Sequence, residues 1–366
     1  MTAFQVQQTA ELPAQPLPIV SIGMGGIVHD AHYPAYRKAG FAVVGGYDSI
    51  PERARLMAET FGVPALYSSL SEAVRHAPPD AVFDVAVPGS AIVDVLREMP
   101  PGRAVLIQKP MGETLAQADT ILKLCREKHL TAAINFQMRW MPHIIAARSM
   151  IDQGLIGDVV DLEVRMQVYT PWSNWRYLFP MPRIEMLYHS IHYIDLMRSF
   201  LGNPARVYAR TLKHPVTAPQ IAATRSMIIM DYGDSVRANI MTNHGHIYGG
   251  EKEQSYVKWE GSKGAIMVTA GLNMDYPRGK PDTFEYVLLE TDRTPIWQTL
   301  DIAGSWFPDA FIGTMSSLQR FVRGETDVLP TRVEDAYHTM AVVEAAYQSS
   351  ESGGTVPPYQ PMSETR

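Results

Sequence analysis

The sequence predicts an α/β protein in two parts: a doubly wound parallel sheet first, then an α/β domain with an open, mainly antiparallel sheet. Three observations carry this. Between residues 17 and 136, short apolar runs alternate with helical patterns, the signature of β-α-β units. From residue 159 the apolar runs follow one another with one helical stretch among them, as in antiparallel sheets. A glycine-rich turn stands directly after the first run, where a parallel sheet of this kind holds its ligand.

Taken in order, residues 1–16 form a polar, Gln-rich, Pro-containing arm with no regular element. Strands are expected at 18–22, 41–47, 81–87, 104–108 and 131–136. A helix leaves the turn Gly23-Met24-Gly25-Gly26-Ile27-Val28 and runs toward Lys38. Ser49, Pro51 and Glu52 read as a capping box with proline near the first helical position, and Gly62 closes that helix. Thr114 with Gln117 repeats the device. A helix at 143–153 places the boundary between 137 and 155, so the chain divides into 17–140 and 141–366. The second part offers strands at 159–168, 206–212, 226–231, 236–241, 256–260 and 265–268, with a helix at 186–200 among them. A last helix at 336–349 is expected to turn back onto the first domain. No repeat of solenoid or propeller period is present.

With 366 residues, 46% of them hydrophobic, the chain has material for two cores. Its net charge of −6, with no basic stripe, argues against a nucleic-acid partner. Cys125, the one cysteine, falls on the buried stripe Ala118, Ile121, Leu122, Cys125 of a helix and reads as a core thiol. No run of about 18 apolar residues offers a membrane span, and the arm lacks the basic start and apolar run of a signal peptide. The expected compartment is the cytoplasm.

The glycine turn has a nucleotide-binding logic. Gly23 permits the tight turn and Gly25 lets backbone approach a pyrophosphate. Gly26 and Ile27 stand at the helix start, where unpaired N–H groups attract anions. Val28 replaces the third glycine. Asp48, ending the second strand, suits the ribose hydroxyls and would repel a 2′-phosphate, so NAD is expected, with NADP the alternative. Arg53 and Arg55 are the counterweight, read here as solvated charges on a helix surface.

The fourth strand runs into Gln108-Lys109-Pro110-Met111, and here the chain resembles the glucose-fructose oxidoreductase, inositol dehydrogenase and MocA family. Ala31-His32-Tyr33-Pro34-Ala35, Met138-Arg139-Trp140-Met141-Pro142 and Leu201-Gly202 extend the resemblance along nearly the whole chain. It implies a Rossmann domain with Gly23, Gly25, Gly26, Ile27, Asp48, Pro88, Gln108 and Lys109 at the cofactor, Gln108 standing where the family usually has glutamate. It also implies that Lys109 lies beside the nicotinamide and bonds the reacting hydroxyl. A cation at that strand end stabilises charge as the hydroxyl loses its proton.

The segment Glu185-Met186-Leu187-Tyr188-His189-Ser190-Ile191-His192-Tyr193-Ile194-Asp195 resembles the family's Asp-x-Gly-x-His-x-x-Asp helix. On that match His192 is the family histidine, a plausible general base by its ordinary pKa. Asp195 is the later acid, read as structural. Tyr188 stands in place of the aspartate as a relay or orienter, and Ser190 in place of the glycine. Substrate contacts are expected from Arg139, Trp172, Trp175, Arg176, Glu185 and His189, with the aromatic segment 169–177 as a sugar-stacking wall and Trp306 with Phe307 as a further candidate. His189 and His192, with the pair His244 and His246, invite a metal reading, but no further ligands are evident and no metal is expected.

The reading is therefore an NAD-dependent oxidoreductase moving a hydride between nicotinamide and a hydroxyl of a sugar, glycoside or cyclitol. Two rivals stand beside it: NAD-dependent glycoside cleavage with no net redox, and a non-catalytic dinucleotide-binding sensor or accessory subunit. The resemblance implies a homodimer or homotetramer built on the open sheet, with the arm lying on a neighbour.

Overall fold

The computed structural model describes residues 4–355, so the first three residues of the arm and the end of the second domain lie outside the described residues. Five parallel strands, β1 (Ile19–Ile22), β2 (Val43–Tyr47), β3 (Val82–Val85), β4 (Ala104–Ile107) and β5 (Thr131–Ile134), lie in the order β2-β1-β3-β4-β5. Every residue of β1, β3 and β4 is buried, as a parallel sheet covered on both faces requires. The covering helices are α1 (Tyr33–Ala39), α2 (Pro51–Phe61), α3 (Leu70–His76), α4 (Ile92–Glu98) and α5 (Leu115–Glu127).

The caps differ in one place from expectation. Thr114 caps α5, its hydroxyl accepting the Gln117 N–H at 3.2 Å while the Gln117 side chain accepts the Glu113 N–H at 2.7 Å. Gly62 ends α2 in the left-handed conformation at φ +75°. Ser49, however, does not cap α2: Ile50 occupies that position without a side-chain bond. The Asp48 carboxylate turns the chain instead, accepting the Ile50 N–H at 2.8 Å in an Asx turn.

After α6 (Pro142–Asp152) come β6 (Val159–Gln167), α7 (Ser190–Leu201), β7 (Arg206–Leu212), β8 (Arg225–Asp231), β9 (Arg237–Asn243), β10 (Gln254–Gly261), β11 (Gly264–Thr269), β12 (Thr283–Leu288) and β13 (Gln298–Thr299). The eight strands run in the order β13-β12-β11-β10-β6-β9-β8-β7, antiparallel except where β6 pairs with β9. Periodicity does not reveal β12, because only Phe284 and Val287 are buried and they stand three apart rather than two.

Two final helices tie the domains together. α8 (Ala310–Val322) packs on α1, β4 and β5, while α9 (Val333–Ser352) lies along β7 and against α5 and α7. A buried polar chain crosses the first junction. His32 Nδ1 meets the Asp84 carboxylate at 2.8 Å, Asn135 Nδ2 lies 3.2 Å from His32 Nε2, and the Thr314 hydroxyl donates to Asn135 Oδ1 at 2.8 Å. A neutral His32 protonated on Nδ1 satisfies both of its contacts.

The described part of the arm packs along its own chain: the Gln7 N–H donates to Ser149 Oγ at 3.1 Å and Glu11 pairs with Arg320 at 2.6 Å, and just after it the Leu17 N–H donates to the buried Gln319 side chain at 2.7 Å. These partners on α6 and α8 are more than a hundred residues away, beyond the reach of any local pattern.

Candidate active site

At the C-terminal ends of β1 and β3 the chain reverses its winding direction, which opens a crevice. Gly23 has φ +88°, and a Cβ there would lie 2.4 Å from the Ala86 carbonyl oxygen, so only glycine lets the two strand ends close up. Gly25 and Gly26 are different, since a Cβ at Gly26 would meet nothing within 4 Å and one at Gly25 only the Arg53 guanidinium at 3.9 Å. That open space at a helix start, edged by backbone N–H groups, fits a dinucleotide pyrophosphate.

Asp48 is almost fully buried beside this turn and braces it, Oδ2 accepting the Met24 N–H at 2.8 Å. Arg53 reaches across to Asp48 at 3.5 Å. Arg53 is exposed, as expected, but it also borders the nucleotide turn, whereas Arg55 pairs with Glu52 on the exposed helix face. Pro88 opens the turn after β3, and Gln108 continues β4, its N–H donating to the Val85 carbonyl at 2.8 Å. The Gln108 side-chain oxygen is buried with no partner among the described residues.

Lys109 follows at the strand end and crosses to the second domain, Nζ donating to the Tyr188 carbonyl at 2.8 Å. Burial pulls its ammonium down to about 8. Facing it, a wide π-type turn at Glu185–His189 feeds into α7, the kind of helix irregularity that recurs at functional sites. His192 stands one turn into this segment, edge-on to Trp306 with ring centres 6.0 Å apart. Its Nδ1 is buried without a partner among the described residues. Burial first, and then the Lys109 charge, hold His192 well below its ordinary value, so the ring is neutral at neutral pH.

Tyr188 faces the other way. Its hydroxyl lies 3.4 Å from Glu113 in the first domain, and burial together with that carboxylate pushes it well above its ordinary value. It is a protonated donor bridging the domains, and no bond joins it to His192 among the described contacts. Behind Lys109 a second cluster forms, in which the His189 and His244 rings pack at a tilt of 48° with centres 4.5 Å apart and Trp172 touches both. Glu185 is fully buried below them, accepting the Ser190 hydroxyl at 2.7 Å with His244 Nε2 at 3.7 Å.

The remaining candidates are placed less centrally. Trp175 packs against Tyr276 at 5.9 Å on the outer side of Trp172, and Arg176 is exposed on the same segment. Arg139 is engaged elsewhere: two 2.6 Å bonds to Asp195, one of 2.9 Å to Asp335 and one of 2.9 Å to the Pro330 carbonyl use most of its donors. It reads as a structural clamp rather than a substrate contact. His244 and Glu113 are the additions that the structure makes to the site, and Trp306, a candidate from the sequence, stands beside His192. His244 was visible in the sequence only as half of a histidine pair, and among the described residues no three His, Cys, Asp or Glu side chains converge as metal ligands.

A parallel nucleotide domain with a phosphate-cradling turn, facing a sheet domain across a lysine–histidine pocket, defines a dinucleotide-dependent oxidoreductase. The chain belongs to the Gfo/Idh/MocA oxidoreductase family: residues 17–136 match its NAD-binding Rossmann fold and residues 148–357 its C-terminal α/β domain. It is 24% identical to the D-apiose dehydrogenase of Rhizobium rhizogenes over 327 residues, covering 87% of this chain and 90% of that protein. The fold is shared with an Agrobacterium radiobacter oxidoreductase in complex with NAD+, L-tartaric acid and magnesium, at TM-score 0.77 and 19% identity over 93% of this chain and 98% of the other. It is shared equally with the super-repressor mutant of Gal80p from Saccharomyces cerevisiae, at TM-score 0.79 and 15% identity, covering 93% and 97%.

Proposed function

We propose that this protein oxidises a hydroxyl of a sugar, glycoside or cyclitol, with Lys109 and His192 as the catalytic pair. The observation that carries this is the desolvated amine of Lys109, held at the crevice by the Tyr188 carbonyl and faced by the neutral ring of His192. NAD, when bound, supplies the hydride acceptor. Lys109 as a free amine takes the hydroxyl proton: the O–H bond breaks, an N–H bond forms, and the hydrogen on carbon leaves with its electron pair. His192, weakened as a base, orients the same hydroxyl. Trp172, Trp175, Arg176 and His189 line the substrate side in this reading, with Glu185 buried beneath them. The relative named as a D-apiose dehydrogenase supports the sugar class. Incubating the protein with NAD and panels of sugars, glycosides and cyclitols, and following NADH absorbance, tests it. Absence of NADH with every panel member overturns it.

Tyr188 in place of an acid favours one second reading, cleavage of a glycoside through a transient oxidation with no net NADH. Release of aglycone without NADH in bulk solution distinguishes the two.

NAD is expected to bind more tightly than NADP, because the buried Asp48 carboxylate stands where a 2′-phosphate would enter. Titrating both cofactors checks this, and Asp48→Ser is expected to weaken NAD. Tighter NADP binding would instead assign Arg53 as a phosphate ligand.

The outer sheet face supports a homodimer or homotetramer. Tyr208 pairs with Ile229 across β7 and β8, and Met227 pairs with Met241 across β8 and β9; the four side chains are 51%, 52%, 46% and 37% exposed. Such a contiguous apolar patch marks an interface. Sedimentation at micromolar concentration is expected to give two or four times the 40.8 kDa chain mass, and a monomer mass contradicts the reading.

A further inference from the structure

The histidines beside Lys109 lack the acid that would normally orient them. Lys109 is the charged group that bears on His192 and, with the neighbouring rings, on His189; among the described residues no carboxylate is bonded to either ring, and both Nδ1 atoms are without a partner. Tyr188, at the position where the family resemblance would put one, turns its hydroxyl to Glu113 instead. Yet taking the substrate proton leaves a buried ammonium on Lys109, and a buried charge without compensation is costly.

Glu185 is placed to compensate it. Its carboxylate is fully buried at the base of the π-type turn, Oε1 accepting the Ser190 hydroxyl at 2.7 Å and lying 3.7 Å from His244 Nε2. Oε2 has no partner among the described residues, and neither do His244 Nε2, His189 Nδ1 and Trp172 Nε1, so four orphaned polar atoms gather in one cluster. The other titratable groups facing Glu185 are the hydroxyls of Tyr193 on α7 and Tyr347 on α9. Burial pushes the Glu185 carboxyl up, but His244, Ser226 and Ser190 outweigh it and keep it ionised. On its far side, His244 Nδ1 meets the Thr170 hydroxyl at 2.8 Å. A hydroxyl can donate to a ring nitrogen or accept from it, so Thr170 holds the His244 ring in place in either tautomer.

We propose that Glu185 and His244 act as one buried carboxylate–imidazole pair that positions His189 against Lys109 and supplies the counter-charge absent at Tyr188. The proposal rests on the oxidoreductase reading for its catalytic consequence but not for its electrostatic one. The proton and hydride go where that reading sends them; Glu185 and His244 are positioning residues and touch neither. The arrangement repeats the logic in which a third group orients a base, with the acid displaced one helical turn and acting through two adjoining rings.

The test uses full-length, NAD-loaded protein and the variants Glu185→Gln, Glu185→Asp, His244→Asn and the Gln/Asn double variant. Glu185→Gln and His244→Asn are each expected to lower kcat by about 10- to 100-fold, as loss of an orienting partner does, with KM for NAD unchanged. The double variant should be no worse than the poorer single one, the mark of residues acting as a unit. Glu185→Asp should recover part of the loss. A second readout needs no substrate: the pH dependence of Lys109 arylation by fluorodinitrobenzene, read by mass spectrometry. Loss of the Glu185 carboxylate, the counter-charge proposed here, disfavours the ammonium, so Glu185→Gln is expected to move Lys109 ionisation from about 8 to lower pH. Unchanged Lys109 titration in folded Glu185→Gln and His244→Asn, or additive kcat losses, overturns the proposal. Should wild-type protein form no NADH with any substrate, the oxidoreductase reading falls while the arylation experiment still decides this one. Should Glu185→Gln fail to fold, the His244→Asn and Glu185→Asp titrations decide it.

Discussion

Lys109→Ala is expected to lower kcat by about 10²- to 10⁴-fold, the range for loss of a general base. Lys109 and His192 are competing bases for the hydroxyl proton. His192 is neutral and available, but burial and the Lys109 charge make it a weak acceptor. Lys109, brought down to about 8 by burial, is the stronger acceptor once it has lost its own proton. The sign follows: kcat/KM rises with pH as the ammonium becomes an amine, levelling above about 8. His192→Ala should cost less, about 10²-fold, because it removes an orienting bond rather than the acceptor. Single-turnover NADH formation across the range in which Lys109 titrates is the measurement. Near-normal turnover in Lys109→Ala sinks the mechanism, and a larger loss in His192→Ala than in Lys109→Ala exchanges the two roles.

The second large effect is on stability. Arg139 ties together Asp195, Asp335 and the Pro330 carbonyl, and Asp195 also accepts the Thr339 hydroxyl at 3.0 Å. Asp195 is 1% exposed, so Arg139→Met strands a buried carboxylate; breaking such a pair by removing one partner destabilises by about 3–5 kcal/mol. Urea unfolding followed by circular dichroism measures it. Combining Arg139→Met with Asp195→Leu is expected to recover much of the loss, because the unpaired charge is gone. A substrate contact would behave differently, raising KM with the unfolding midpoint unmoved.

Local features of this fold are legible in the sequence, and long-range ones are not. The glycine turn, the strand runs before Gly23 and Lys109, the cap at Thr114 and the placement of His192 on a helix all depend on neighbours a few residues apart. Arg139 resembles a site residue in sequence because its motif does, yet Asp195 and Asp335, which neutralise it, lie 56 and 196 residues away. His244 joins the site for a similar reason: β9 delivers it to a turn that precedes it by more than fifty residues. Ser49 and Asp48 show a finer limit, since both side chains suit a helix start and only the strand-end geometry selects the aspartate.

The contacts of α8 and α9 bear on how the protein is made. The nucleotide domain ends, by its strands, at Ile134, but Ile134 N–H bonds the Thr331 carbonyl at 2.8 Å and Asn135 is completed by Thr314. A ribosome must therefore add close to two hundred more residues before the first domain receives its last layer. At about 5–20 residues per second that interval is roughly 10–40 s. Throughout it, the apolar surfaces of α1, β4 and β5 that α8 later covers stay open on the nascent chain. The two domains are separate in architecture but finish folding together, and the polypeptide has a period of vulnerability to chaperone capture and proteolysis that its order of domains does not suggest.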